Sequence, residues 1–546
     1  MKTLAAALLL VSAGLSFAQP VPGTTPKLVV VISIDQFRMD YVDRFASQYL
    51  PARSGGKVGG FRYLSEQGAF FTDAHYTHIP TATGPGHSAI LTGSGPATNG
   101  IVGNEWYDRA TKKTVYCADD PLSKTVGGPS SPMSPRNLLV STVGDELKMA
   151  TNGRSKVVGV AFKDRASIFL AGHAADTVIW FDTINGAWVT STFYANRLPD
   201  WVTKINAMTV PELGLKKVWT PMLPDEAYSW TRPAPFAPQN AKPIFTHALG
   251  PDNPKNRYRN WTTSPFGQQY VFDTATAALD GEGLGKDDTP DLLAINLSTN
   301  DYIGHAYGPN SPEVMDISVA TDRMLSQFFN AINEKVGLKN VTIVITADHG
   351  VLPIVEEAKN QYKLPSMRID GKKLVDAVNA EVSKTYGAGE WVESFDEPNV
   401  YLNRDLIASK GIAPALVQTA VAEAMMKQNG IHAAFTRDQV LNGRLPGWDF
   451  CKAVYNSFNV SRSGDVLVFE NPGNYFGGGT GTGHGSPWAY DRHVPILVSG
   501  FGVRPGRVSR RVAVTDIAPT LCRLLRVELP TGCTGTVLSE ALAPGN

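Results

Sequence analysis

Short apolar runs that stop abruptly on chemically active side chains constrain this chain more than any other feature. "KLVVVISID" (27–35), "KVVGVAF" (156–162), "DLLAINL" (291–297), "VTIVITAD" (341–348) and "HVPILVSG" (493–500) are apolar throughout rather than alternating. That is the pattern of strands buried on both faces, as in a parallel sheet. Helical patterns separate many of them. "SPEVMDISVATDRMLSQFFNAINEKV" (311–336) opens on Ser-x-Glu and repeats an apolar residue every three or four positions. The alternation predicts an α/β fold, a central and mostly parallel β-sheet sandwiched by helices. Sites in such sheets form beyond the carboxyl ends of the strands, and there the polar residues gather. The first run ends at Asp35, the second at Lys163, the third just before Asp301, and the fourth at Asp348-His349.

Two stretches interrupt the alternation. Residues 177–290 are rich in Trp, Pro and Tyr, and "VIWFDTINGAWVTSTF" reads as a hairpin turning at Asn185-Gly186. Residues 370–445 read helix–strand–helix–strand. Both are expected to be insertions walling a cleft, which leaves the α/β core in three parts, 27–176, 291–369 and 446–546. At the start, "MKTLAAALLLVSAGLSFAQP" offers Lys2 as a positive n-region, an apolar run from Leu4 to Leu15, and a small-residue cleavage site ending at Ala18. Residues 1–18 therefore read as a secretory signal peptide and the mature protein as exported, periplasmic or secreted. That run falls short of the roughly 20 residues a bilayer span needs, and no later segment suits one. The 50 basic and 50 acidic residues balance, so neither nucleic acid nor an anionic membrane is indicated as a partner. Cys117, Cys451, Cys522 and Cys533 are too scattered for a thiolate zinc site. Cys522 and Cys533 are near enough in sequence for a local bridge, though spacing does not fix pairing.

"STNDYIGHAYG" puts Asp301 and His305 four apart, on one face of a helix. "TADHG" puts Asp348 beside His349 at a strand end, and "GTGHGSPWAYDRHVP" carries His484 in a glycine-rich loop. With Asp35, these carboxylates and imidazoles suit zinc, and two such ions about 4 Å apart clamp an in-line displacement at phosphorus. Each residue alone has a plainer reading: an aspartate at a strand end caps the next helix, and Asp-His-Gly is a turn. Their joint occurrence carries the hypothesis. His75, His78, His173, His247, His432 and His493 read as structural, and His87 stays open.

"HIPTATGPGHSAILTG" (78–93) adds a hydroxyl. Thr83 precedes a helix start, where backbone N–H groups favour an anion, and a nearby cation would stabilise its alkoxide; Thr81 is the competitor. In "AFKDRAS", Lys163 and Arg165 point to the same side if the chain is still extended, an ammonium and a guanidinium fit to clamp phosphate. "GIVGNEWYD" offers Asn104 as a neutral donor.

These segments, together with "SPRNLLVSTVGDEL", resemble the alkaline phosphatase superfamily, most closely its bacterial PafA-type phosphatases with a threonine nucleophile. The resemblance covers most of the mature chain. It implies two zinc ions per chain, one held by Asp301, His305 and His484, the other by Asp35, Asp348 and His349, with Thr83 bound to the latter. It selects Thr83 over Thr81 as nucleophile and gives the phosphate oxygens to Asn104, Lys163 and Arg165. The implied reaction is hydrolysis of small-molecule phosphate monoesters through a phosphothreonine. A phosphodiesterase or nucleotide pyrophosphatase of the same superfamily is the alternative. A sulfatase is disfavoured because "TATGPGH" lacks the arginine of that group's nucleophile motif, and a non-catalytic binder of phosphorylated ligands would not need so complete a set of groups.

Overall fold

The computed structural model describes residues 24–232 and 244–544; residues 1–18, read above as a signal peptide, lie outside them. In chain order the principal strands are β1 (Leu28–Ile34), β2 (Ala69–His75), β3 (Val157–Ala161), β4 (Thr177–Asp182), β5 (Ala187–Ser191), β6 (Asp291–Leu297) and β7 (Val341–Thr346). An inserted subdomain follows with β8 (Val392–Asp396), β9 (Asn399–Leu402), β10 (Ile431–Thr436) and β11 (Val466–Glu470), and then β12 (His493–Gly500). The helices that matter for the site are α1 (Thr83–Thr92), α2 (Asp164–Ala171), α3 (Thr299–Tyr307) and α4 (Pro312–Lys335).

Every residue of β1, β6 and β7 is buried, which is why none of them alternates. β1 lies between β6 and β7, parallel to both, and β6, β3 and β4 continue the parallel order. They form the centre of an eleven-stranded sheet with helices packed against it. α2 packs against β3, β4 and β6, and the helix Pro265–Gly281 also lies on β3 and β6. α4 begins as its sequence indicates: Ser311 caps it by accepting from the Val314 N–H at 3.2 Å, and Pro312 holds the first turn.

One strand runs against expectation. β12 is antiparallel to both β7 and β2, not parallel. A strand buried on both faces carries the same apolar run in either direction, so its residues do not encode polarity. Its approach does. Gly350 donates to Asp491 O at 2.7 Å and Val351 to Tyr490 O at 2.9 Å, so the chain enters β12 at the edge where β7 leaves. His484 therefore reaches the same edge as Asp348.

The Asn185-Gly186 turn forms, with Gly186 at φ 71°, but β4 and β5 extend the main sheet, so what stands apart from it begins after Ser191. The inserted subdomain likewise takes in more than residues 370–445: β11 joins its four-stranded sheet between β9 and β10, over a core that includes Val378, Trp391, Val417 and Val466. All four cysteines are free thiols. Among the described residues no helix is long and apolar enough to cross a membrane.

Candidate active site

Five connections deliver the polar residues to one edge of the sheet. Asp35 follows β1, and Asp348 and His349 follow β7. α3 begins two residues after β6 and carries Asp301 and His305 one turn apart, so both face the same way. The segment leading into β12 brings His484, and α1 opens with Thr83 itself. Thr83 is 1% exposed, and its Oγ1 lies 3.3 Å from both Lys163 Nζ and Arg165 Nη2. Asn104 accepts the Gly84 N–H at 2.7 Å, which commits its Oδ1 to the residue after Thr83 and leaves the Nδ2 hydrogens as donors.

The acids and imidazoles form two linked clusters. Asp301 Oδ1 lies 3.1 Å from His305 Nε2 and 3.6 Å from His484 Nε2. His349 Nε2 lies 3.5 Å from Asp35 Oδ1 and 3.2 Å from Asp348 Oδ2. The clusters touch where the His349 and His484 rings stack, 3.5 Å between centroids. Lys163 Nζ joins them, 2.6 Å from Asp301 Oδ2 and 2.9 Å from Asp35 Oδ2.

This set fits divalent metal. Asp35, Asp301 and Asp348 are three buried acids facing one buried ammonium, a balance that lacks positive charge. Asp35 Oδ1, Asp348 Oδ2 and His349 Nε2 are buried with no hydrogen-bond partner, and all three converge on one point. The rings are set for it: His305 Nδ1 meets Thr482 O at 2.7 Å, His484 Nδ1 meets Thr81 O at 2.7 Å, and His349 Nδ1 meets Gly350 O at 2.9 Å. A carbonyl only accepts, so each Nδ1 carries the hydrogen and each Nε2 offers a lone pair. The separations of 3.1 to 3.6 Å match the roughly 3.3–3.6 Å between neighbouring ligands of a tetrahedral zinc at 2.0–2.2 Å. The titrations are strongly displaced. Burial and then Asp348 push Asp35 well above the usual carboxylate range. Burial alone would lower His349, but Asp348 outweighs it and holds the ring at about 9, so that a proton takes the Nε2 lone pair that a divalent cation would otherwise claim.

All ten residues singled out in the sequence meet here, through one departure from the expected geometry. Lys163 and Arg165 do not share an extended strand: Lys163 is the last residue before α2, at φ −78° and ψ 125°, and Arg165 sits in its first turn. Both reach Thr83 because α1 and α2 pack together. Other residues escaped the sequence reading. Gln36, at φ 62°, donates its N–H to Asp348 Oδ1 at 3.0 Å and its side-chain amide to Asp301 Oδ1 at 2.7 Å, tying the clusters together. Its only sequence signal is its place after Asp35. His87, left open, lies 3.2 Å from Asp348 Oδ2, but both its nitrogens are engaged, Nδ1 with Thr83 O at 2.9 Å and Nε2 with Asn296 Nδ2 at 2.9 Å. It braces the site without a free lone pair for a metal. Tyr116 holds Arg165, its hydroxyl 3.1 Å from Nη1.

α1 can lie against the end of β7 only because residue 86 has no side chain: a Cβ there would stand 2.3 Å from Asp348 O. Gly86→Ala is expected to cost about 1–3 kcal/mol of stability and more than about tenfold in turnover, since a misplacement near 1 Å is felt strongly in catalysis. Denaturant titration beside steady-state rates on an aryl phosphate checks both; an intact rate would show that the packing of α1 on β7 does not set the position of Thr83.

Known proteins resemble this chain over most of its length. A family model described as type I phosphodiesterase / nucleotide pyrophosphatase matches residues 29–493. Alkaline phosphatase PafA of Elizabethkingia meningoseptica is 35% identical over 533 residues, 95% of this chain and 94% of that protein. Alkaline phosphatase PhoV of Synechococcus elongatus is 36% identical over 535 residues, 95% and 93% respectively. The crystal structure of wild-type alkaline phosphatase PafA superposes with a TM-score of 0.88 at 34% identity, covering 96% of this chain and all of that one. The chain belongs to the type I phosphodiesterase / nucleotide pyrophosphatase family, among its alkaline phosphatases of the PafA kind.

Proposed function

We propose that the chain is an exported, two-zinc phosphomonoesterase that hydrolyses small-molecule phosphate monoesters through a covalent phosphothreonine on Thr83. One observation carries this reading: a single buried hydroxyl stands 3.3 Å from both an ammonium and a guanidinium, against two clusters of metal-competent side chains. Asp301, His305 and His484 would hold one zinc, and Asp35, Asp348 and His349 the other. Bound zinc lowers the pKa of a coordinated hydroxyl or water and neutralises a departing alkoxide. Thr83 Oγ1 attacks phosphorus in line, the P–O bond to the alcohol breaks, and phosphothreonine forms. Water then attacks the same phosphorus, releasing inorganic phosphate and the Thr83 hydroxyl. Lys163, Arg165 and the Asn104 amide hold the non-bridging oxygens, where transition-state charge is spread. His87 and Gln36 keep Asp348 and Asp301 oriented.

The family also includes phosphodiesterases, the second reading. A diester carries a substituent in place of one non-bridging oxygen, and Lys163 and Arg165 together are matched to a monoester dianion. The enzyme should therefore prefer an aryl phosphate to a bis-aryl phosphate; a preference for the diester would defeat the proposal. Arg165→Ala should lose about 10–100-fold on the monoester, the worth of one charge-assisted hydrogen bond pair, and far less on the diester. Lys163→Ala should shift the ratio the same way. Equal losses on both substrates would remove the specificity argument.

A further inference from the structure

His484 stands in a loop, residues 477–485, in which six of nine residues are glycine. Such a stretch loses much backbone freedom when it is ordered, so whatever grips it decides where His484 stands. Two of the glycines are demanded by close approach: a Cβ at Gly481 would stand 2.1 Å from His305 O, and one at Gly483 2.3 Å from the Tyr475 ring. Between them, Thr482 clasps His305 twice, donating its N–H to His305 O at 3.0 Å and accepting from His305 Nδ1 at 2.7 Å. The Thr482 hydroxyl donates to Leu352 O at 2.8 Å. One loop thus sets both imidazoles of the Asp301 cluster.

A further grip comes from Arg368, whose Nη2 donates to Gly481 O at 2.7 Å. Glu356 holds the same guanidinium by two parallel bonds, Nε to Oε1 at 2.9 Å and Nη2 to Oε2 at 2.8 Å, the paired geometry that fixes an arginine most firmly. The guanidinium also faces Tyr475, 5.9 Å from the centroid of the ring that closes on Gly483. Glu356 lies in the helix Val355–Gln361, after β7. Arg368 and Tyr475 stand opposite each other in a short parallel pair, and the next residues, Ile369 and Phe476, pack into the core of the inserted subdomain. Arg368 therefore fastens the loop both to the segment leaving β7 and to the subdomain.

We propose that Arg368 is a positioning residue for the ion at Asp301, His305 and His484, acting through Gly481. The inference rests on the two-zinc reading and adds to it that the two ions differ in what they depend on. Asp35, Asp348 and His349 follow β1 and β7 directly, with no ligand on the glycine loop, so their ion should not need Arg368.

Competition between a colorimetric zinc chelator and the zinc-loaded, full-length protein gives the affinity of each equivalent. In Arg368→Ala one equivalent should bind about 10–100-fold more weakly than in wild type, the usual cost of losing an outer partner of a metal ligand, and the other should be unchanged. Arg368→Lys keeps a donor for Gly481 without the planar fork, so it should recover part of the loss; it stands in if the alanine variant fails to fold. His484→Gln identifies the ion: in that background, Arg368→Ala should change the remaining equivalent by less than roughly twofold. Two equivalents unchanged in a folded Arg368 variant, or both weakened alike, would overturn the proposal and leave the two-zinc reading standing. A wild type that binds no zinc would overturn both.

Discussion

Thr83→Ala should abolish monoester turnover, a loss of about 10⁴-fold or more as for other nucleophile deletions, while the metal content of the protein stays as in wild type. The substitution removes an Oγ1 whose polar neighbours are Lys163 and Arg165. It leaves the six aspartates and histidines of the two clusters in place. A covalent role and a binding role for Thr83 then separate cleanly. Acid-quenched wild type incubated with labelled substrate should carry phosphate on Thr83, and the alanine variant none. Thr83→Ser retains the hydroxyl and should retain the labelled intermediate. Undiminished turnover in Thr83→Ala would eliminate the phosphothreonine, and a parallel loss of metal would mean that the hydroxyl chiefly builds the site.

Much of this site was legible because its residues terminate buried strands. Asp35 and Asp348-His349 each follow an all-apolar run, and a parallel core places such ends side by side. Helical spacing put Asp301 and His305 on one face, and their occurrence together with the strand-end acids and imidazoles made them candidates. The unread parts share a cause: they depend on contacts between distant segments that no local pattern records. Gln36 matters because a left-handed backbone turns it from Asp348 to Asp301. His87 lies in the apolar start of α1, and only the packing of α1 against β7 brings it to Asp348. The polarity of β12 is set by the path of residues 483–492, not by its own residues. Lys163 and Arg165 reached the predicted target through a helix start instead of an extended face, because both geometries project two residues toward α1.

Metal removal is the second large expected effect, and the charge balance of the site gives its direction. Asp35, Asp301 and Asp348 are 2% exposed or less, and Lys163 is the ammonium that bonds two of them. Without divalent cations, the attraction of Lys163 to Asp301 and Asp35 competes with its service to a phosphate dianion. The loss is therefore twofold in kind: the hydroxyl loses its activation, and the clamp is drawn toward the acids. Chelation should lower monoester turnover by about 10³-fold or more, since charge stabilisation by metal contributes several kcal/mol to such reactions. It should also lower Tm by several degrees, because ions bound only by the folded state stabilise it in proportion to the logarithm of their saturation. Zn2+ should restore both. Elemental analysis of the purified protein completes the test: two zinc equivalents that disappear with activity and return with it support the assignment, whereas full turnover in exhaustively chelated, metal-free protein would overturn it and leave the activation of Thr83 to Lys163 and Arg165, each 3.3 Å from its Oγ1.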